Sequence, residues 1–489
     1  MDTAVKDPMV EDVIRHSLSA SEEFEALDQE QTDRIVRAVY EAAFQNRRVL
    51  AEMAFNETGI GNIADKTVKN IIASRFVFRD IRDQKTVGII SSNQDTGITE
   101  IARPMGPVFM VTPITNPTST AIFKILIAMK TRNPVILFPH GAARKCTIET
   151  ASLLYTAARN AGAPEHCIQW IPKATREQVL LFMSHKKVAL VLATGSVSLV
   201  RAAYSSGNPA IGVGPGNVPV YIGKSADVPF AISQILVSKL FDNGTICASE
   251  QAVVVSKYNA QQVREEFLRR GAYFLSPEEI EKVGRVSFNT AQRSMNPEVI
   301  GQTAIKIATL AGINVPAETV LLIAEMEKHQ VGLSWPLSLE ILAPILAFYE
   351  VESFDEGISM CRTINEHGGL GHTVSIFSND PEKVIYFAHA LHAGRIVVNT
   401  PSSQGALGGL YNKLTPSMTL ACGSGGKNFT TDNISVKHLL NIQRIAYRHL
   451  AFCMEHQQTG AFCCDAGLTL EEIDKNCTLY REQSGYGNC

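Results

Sequence analysis

The sequence predicts an α/β protein of more than one domain, on three observations. At 489 residues it is too long for a single core. Its 45% hydrophobic and 19% charged residues describe an ordinary globular chain. From residue 104 onward, short apolar runs alternate with helix-patterned segments, the mark of parallel sheets joined by crossover helices. A formal charge of -3 gives no basic footprint, so nucleic acid is not an expected partner. No run of roughly eighteen apolar residues occurs, so no membrane span is expected. The N-terminal MDTAVKDPMVEDVIRHS lacks the apolar region of a secretory signal. The ten cysteines are scattered, or bunched at the end without metal-ligand spacing. That usage fits a reducing, cytoplasmic compartment and no metal site.

Residues 9 to 80 read as helices, with Val10, Val13, Ile14, Ile35, Val36, Val39 and Tyr40 at helical spacing between charges. Ser21 before Glu22 and Glu23, and Thr32 before an apolar run, are expected helix starts. An N-terminal amphipathic helix can serve as a targeting tag, for instance into a bacterial microcompartment, but such stripes are more often core and no clear tag stands out. Residues 86 to 103, TVGIISSNQDTGITEIAR, predict two strands around a polar turn at Asn93–Gly97. An exposed ribbon of this kind often pairs with a second chain.

Strands are then expected at Val108–Val111 and Val135–Phe138, with a helix over Ser119–Lys130 between them and another at Ile148–Gly162. Ala189–Leu192 is a strand ending at Thr194-Gly195-Ser196, followed by a helix; Ala210–Val213 and Val218–Ile222 are further strands. The alternation argues a sheet of dinucleotide-binding type. A second alternating region runs to about residue 425, with strands at Gln251–Val255, Val320–Ile323, Val374–Phe377 and Ile396–Asn399. The expected division is 1–240 for a cofactor domain (86–104 belonging to the ribbon), 241–425 for a catalytic domain, 426–448 for a return strand, and 449–489 for a tail. The tail holds Cys453, Cys463, Cys464, Cys477, Cys489 and His456 without the paired spacing of a zinc site, and reads as a surface extension or docking segment.

The chemistry gathers around Cys247 in FDNGTICASEQ (241–251), a cysteine among small polar residues that leave it accessible. A lone cysteine is usually a buried hydrophobe, and what raises this one is its company. Asn116, in VTPITNPTS, follows an apolar strand and precedes a helix, where an amide can donate to a developing oxyanion or merely cap a turn. Thr194 and Gly195 form a strand-to-helix turn able to take a phosphate on helix N–H groups. The GVGPGN run (212–217), with Gly214, lies between two apolar stretches but lacks GxGxxG spacing. Glu340 in LEILAP could hydrogen-bond a ribose hydroxyl, although most glutamates are simply solvated. His367 and His372, in NEHGGLGHT, are candidates for acid–base work or substrate contact, a structural histidine being about as common.

In this order the stations resemble the aldehyde dehydrogenase superfamily, and in detail its CoA-acylating branch and the aldehyde dehydrogenase half of bifunctional aldehyde–alcohol dehydrogenases. The residues that carry the resemblance are TNPTSTAIFK (115–124), MKTRN (129–133), LATG (192–195), AAYSSGNPAIGVGPGNVP (202–219), FDNGTICASEQ (241–251), GGLGHT (368–373), VNTPSSQG (398–405) and KHLLNI (437–442). It covers roughly residues 10 to 448. It implies a Rossmann-type cofactor domain, an α/β catalytic domain and a β-ribbon used for oligomerisation as a homodimer or homotetramer. It also implies that Cys247 is the nucleophile and that Asn116 is an oxyanion donor together with the Cys247 N–H. Gly195 then lies beside the cofactor and Glu340 on its nicotinamide ribose.

One departure is informative. Hydrolytic relatives carry a glutamate base in an E-L-G-G-type turn, where this chain reads GVGPGN. With no carboxylate there to activate water, a thioester on Cys247 should last until coenzyme A attacks. His140 follows the second strand where many hydrolytic members have a lysine that reaches the adenosine ribose, so NAD is expected, with NADP as the alternative. The resemblance makes acetaldehyde or propionaldehyde the default substrate. Sulfoacetaldehyde is the alternative, but it needs a cation in the acyl pocket. Arg395 is a poor candidate for that cation, because relatives with uncharged substrates have arginine there too. A non-catalytic scaffold with the same fold is the rival of another class; it has no need of Cys247, Asn116 and Glu340 together.

Overall fold

The helical periodicity of the first eighty residues becomes helices Pro8–Glu25, Gln29–Gln45, Arg47–Thr58 and Ile63–Ile71, in a computed structural model that describes residues 7–447. The tail expected at 449–489, with its cysteines and His456, lies outside the described residues. Val10, Ile14, Ile35, Val36 and Val39 form the buried faces of the first two helices. Asp7 and Asp28 cap these helices, the second in a reciprocal box with Gln31. Ser21 and Thr32, expected as helix starts, instead lie inside helices. Their hydroxyls bond the carbonyls of Ser17 and Asp28, four residues back, so the carboxylates win the cap positions. Ile63–Ile71 continues through a π-helical turn, Ile72–Phe76, into Val77–Ile81.

The described residues divide into two compact units, 7–86 with 104–441, and 87–103 with 442–447. The first unit holds two parallel sheets. One has five strands in the spatial order Ile168–Trp170, Val135–Phe138, Val108–Val111, Leu190–Thr194, Ala210–Val213. The chain steps outward from Val108–Val111 to one side, then returns to start the other half at Leu190–Thr194. The carboxyl ends of those two neighbours therefore flank the switch point of the sheet, where open α/β sheets bind ligands. Successive residues of the central strand feed opposite cores, Val108 and Met110 on one face, Phe109 and Val111 on the other. Burial on both faces is why the strand reads as an unbroken apolar run.

The other sheet has seven parallel strands in the order Ala272–Phe274, Leu321–Glu325, Ile345–Val351, Glu250–Ser256, Val218–Ile222, Gly371–Phe377, Ala393–Val398. Val218–Ile222 lies before the expected boundary at 240 yet pairs with Glu250–Ser256 and Gly371–Phe377. The second sheet therefore begins before that boundary, and the GVGPGN run is the crossing from one sheet to the other.

In the second unit Gly88–Asn93 and Ile98–Pro104 pair antiparallel around the expected turn, and Leu440–Ala446 joins them as the third strand. No helix among the described residues is long and apolar enough to cross a membrane.

Candidate active site

Helix Val228–Leu240 ends in a turn where Asp242 and Asn243 both take left-handed backbone, φ +48° and +54°. Asp and Asn tolerate that region better than other side-chain-bearing residues. The turn is pinned by its own polar groups: Thr245 Oγ1 donates to Asp242 Oδ2 at 2.9 Å, and Asn243 Nδ2 to the Gly301 carbonyl at 2.9 Å. The chain then passes Cys247 and enters strand Glu250–Ser256. Of residues 244–251, Cys247 alone is not buried. Its thiol is pushed up to about 12, by close surroundings first and then by the nearby Glu340 and Cys422. The resting group is therefore a thiol.

Asn116 stands at the start of helix Pro117–Lys130, where the chain leaves the central strand of the five-stranded sheet. It does not cap that helix with its side chain. Its Oδ1 instead accepts from Lys69 Nζ at 2.6 Å, and its Nδ2 donates to Thr115 Oγ1 at 3.0 Å, leaving a second amide hydrogen. Lys69 belongs to a buried charge cluster. Its ammonium also donates to Thr245 Oγ1 at 2.7 Å and to Asp242 Oδ2, which accepts from Lys66 Nζ at 3.0 Å as well. Asp242 Oδ1 takes the Asn62 N–H at 2.8 Å. Burial works against the Asp242 charge, but the two lysines outweigh it and hold the carboxyl low.

On the other side, Glu340 Oε1 accepts from the Gly216 N–H at 2.8 Å. Gly216 is pressed between Cys247 and His372: a Cβ there would lie 2.2 Å from the Cys247 carbonyl oxygen and 3.2 Å from the imidazole Cδ2. His372 is fully buried at the start of strand Gly371–Phe377. Its Nδ1 lies 2.9 Å from Thr373 Oγ1, which itself accepts from Arg395 Nε at 3.2 Å. Thr373 Oγ1 and Nδ1 thus share one hydrogen bond. Among the described residues Nε2 has no partner. Burial, then Arg395, pulls His372 down to about 3, so it is neutral at physiological pH. Burial also raises Glu340, to about 7, against the Gly216 bond and Lys239.

Of the remaining expected residues, Thr194 and Gly195 lie at the switch point and Gly214 at the end of the next strand, Ala210–Val213. Thr194 Oγ1 is buried and has no partner among the described residues, and Gly195 has φ +156°. Nothing lies within 4 Å of a Cβ built on Gly214. These features fit a bound nucleotide: an orphaned hydroxyl and open backbone at the carboxyl ends of the neighbouring strands Leu190–Thr194 and Ala210–Val213. His140 is exposed beyond strand Val135–Phe138, its Nδ1 accepting from the Ala142 N–H at 3.2 Å. His367 stands apart from this constellation. It is exposed at the end of helix Phe354–Glu366, its Nδ1 2.8 Å from the Thr363 carbonyl and its ring against Gly332.

Sequence reasoning missed Lys66, Lys69 and the role of Asp242. Lysines three apart on a helix read as a solvated face, and no local pattern reveals that both end on one carboxylate 170 residues or more away. It also missed Gly216, whose glycine is demanded by a contact with a segment remote in sequence.

Residues 3–274 match the model of the aldehyde dehydrogenase family. An aldehyde-alcohol dehydrogenase of Clostridium acetobutylicum is 43% identical over 469 residues, 94% of this chain and 54% of that protein, so the chain spans about half the length of that relative. A succinate-semialdehyde dehydrogenase (acetylating) of Clostridium kluyveri is 35% identical over 90% of this chain and 95% of its own. The crystal structure of an acetylating aldehyde dehydrogenase from Geobacillus thermoglucosidasius superposes with a TM-score of 0.87 at 44% identity, covering 90% of this chain and 96% of that one.

Proposed function

This chain belongs to the aldehyde dehydrogenase family, and we propose that it is a CoA-acylating aldehyde dehydrogenase converting a short aldehyde, CoA and NAD to the acyl-CoA and NADH, reversibly. The observation that carries this reading is that Lys69 ties Asn116 to Thr245 in the Cys247 turn and the Glu340-bound Gly216 loop abuts the Cys247 backbone, with no carboxylate in the GVGPGN segment itself. Cys247 gives up its proton to solvent and its Sγ attacks the aldehyde carbon, and the oxygen of the resulting hemithioacetal rests on Asn116 Nδ2 and the Cys247 N–H. A nicotinamide nucleotide bound at the switch point supplies the hydride acceptor. Thr194, Gly195 and Gly214 are the residues that would hold it, and Glu340 fixes the Gly216 loop. The acyl group then sits on Cys247 as a thioester, which the thiol of CoA takes, freeing the cysteine. His372, neutral and fully buried, packs the Gly216–Cys247 segment and is no strong base.

His140 in place of a lysine favours NAD over NADP. Acetaldehyde and propionaldehyde are the preferred substrates. Sulfoacetaldehyde is less well supported, because all five guanidinium N–H groups of Arg395 are taken, by Thr373, Thr431, Asn433, His372 and Ala421 oxygens. The three-stranded sheet, with Ile89 58% and Tyr447 62% exposed, suits a pairing arm in a homodimer or homotetramer. The five cysteines among the described residues are all unpaired, which suits a cytoplasmic setting.

The test is NADH formation from acetaldehyde, propionaldehyde, butyraldehyde and sulfoacetaldehyde, each with and without CoA. Turnover of a short uncharged aldehyde only with CoA supports the reading. Preference for sulfoacetaldehyde would reassign the substrate, and no NADH from any aldehyde would favour the scaffold.

A further inference from the structure

Lys69 lies on helix Ile63–Ile71, outside every motif that carries the chemistry, and is 1% exposed. An ammonium has three hydrogens, and three oxygens receive them here: Asn116 Oδ1 at 2.6 Å, Thr245 Oγ1 at 2.7 Å and Asp242 Oδ2. Asp242 already has a counter-charge in Lys66, 3.0 Å from the same oxygen, and the Thr245 hydrogen besides. Burying a second lysine is costly, and burial indeed draws Lys69 down to about 8. What the second ammonium adds is a rigid link between the turn that bears Cys247 and the amide of Asn116.

We propose that Lys69 is a positioning residue for the oxyanion donor, holding Asn116 Oδ1 so that the Nδ2 hydrogen is aimed at the oxygen of the substrate. An asparagine amide is nearly symmetric in shape, and without a bias its two ends exchange by a flip about the side-chain bond. A cation at one end forbids the flipped state, in which NH2 would face NH3+. It also polarises the amide, since an acceptor bonded to a cation makes the conjugated N–H a better donor. Because Lys69 is anchored to Thr245, two residues before Cys247, donor and nucleophile are held in one frame. Preorganisation of this kind is what makes an oxyanion donor effective.

The proposal rests on Asn116 being the oxyanion donor, and a double-mutant cycle separates the two claims. The rate of the first NADH burst from propionaldehyde and NAD, without CoA, is measured for wild type, Lys69→Met, Asn116→Ala and the double variant. Asn116→Ala is expected to slow the burst by about 10²–10³. Lys69→Met should slow it by about 10–100-fold, with the aldehyde KM within about threefold of wild type, and the double variant should fall no more than about threefold below Asn116→Ala alone. Losses that multiply, or a Lys69→Met burst above about half the wild-type rate, overturn the proposal. An unchanged burst in Asn116→Ala overturns instead the reading beneath it. If thermal denaturation shows Lys69→Met unfolded, Lys69→Gln, which keeps a polar group beside Asp242, carries the same cycle with the same two outcomes.

Discussion

The Gly216 N–H donates to Glu340 Oε1 at 2.8 Å, and the loop so held presses its α-carbon against the backbone of Cys247. The carboxylate that would lie on a bound ribose thus also sets the position of the nucleophile. The contact leaves no room for a side chain, since a Cβ at 216 would come within 2.2 Å of the Cys247 carbonyl oxygen. Gly216→Ala must therefore displace Cys247, and a displacement near 1 Å costs about 10²-fold in rate. The expected result is a folded protein, by circular dichroism, with a burst slowed by at least that factor. A burst within threefold of wild type would mean that the loop yields freely.

The raised Cys247 thiol sets the pH behaviour of the free enzyme. With the group pushed up to about 12, the thiolate fraction grows about tenfold per pH unit across the neutral range. Inactivation by iodoacetamide should therefore accelerate about tenfold per unit from about pH 7 to 9 without a plateau. Glu340→Gln removes the second cause of the shift and should speed alkylation at every pH in that range. A plateau near neutrality would show an activated resting thiolate.

Gly61 has φ +71°, and a Cβ there would overlap Asp242 Oδ1 at 1.7 Å. Gly59, two residues earlier with φ +65°, has nothing within 4 Å of its Cβ. Gly59→Ala should therefore cost only the left-handed backbone, about 1–2 kcal/mol. Gly61→Ala should cost more, by about 1–3 kcal/mol, because the buried carboxylate must also move. Urea denaturation of the two variants checks the difference, and equal losses would contradict the packing described for Asp242.

The elements most legible in the sequence were those whose physics is local. The strand Val108–Val111 declares itself by an apolar run buried on both faces, and the ribbon by two short strands around the polar turn Asn93–Gly97. Motif order brought Cys247 and Asn116 to notice, and the family match agrees with the resemblance. Illegible were the pairings that join distant segments. Val218–Ile222 reads equally well as the last strand of one sheet or an inner strand of the next, and only its pairings with Glu250–Ser256 and Gly371–Phe377 decide. Lys69 looks like any helix lysine until its partners at 116, 242 and 245 are in place. The two histidines of NEHGGLGHT are alike in sequence, yet one is fully buried beside Gly216 and the other exposed at a helix end.

Glu250 is fully buried, accepts from the Ser402 N–H at 3.0 Å, and has an Oε2 without a partner among the described residues. Burial raises it to about 7, against its hydrogen bonds and Lys239. A carboxyl raised above its unfolded value keeps its proton longer when folded. Its stabilising contribution is thus full below about pH 4.5 and is lost as pH rises through about 7. Glu250→Gln keeps the Ser402 acceptor and cannot ionise. Relative to wild type it should gain on the order of 3 kcal/mol between about pH 4.5 and 8. Melting temperatures of both proteins across that range check this, and parallel curves would contradict it.

At the heart of this chemistry is a cysteine thioester that CoA resolves and water does not. NADH released per chain from propionaldehyde and NAD, with and without CoA, measures this most directly. At most one NADH per chain is expected without CoA, sustained turnover with it, and neither in Cys247→Ala. Sustained NADH and free propionate without CoA, or turnover in Cys247→Ala, would contradict it.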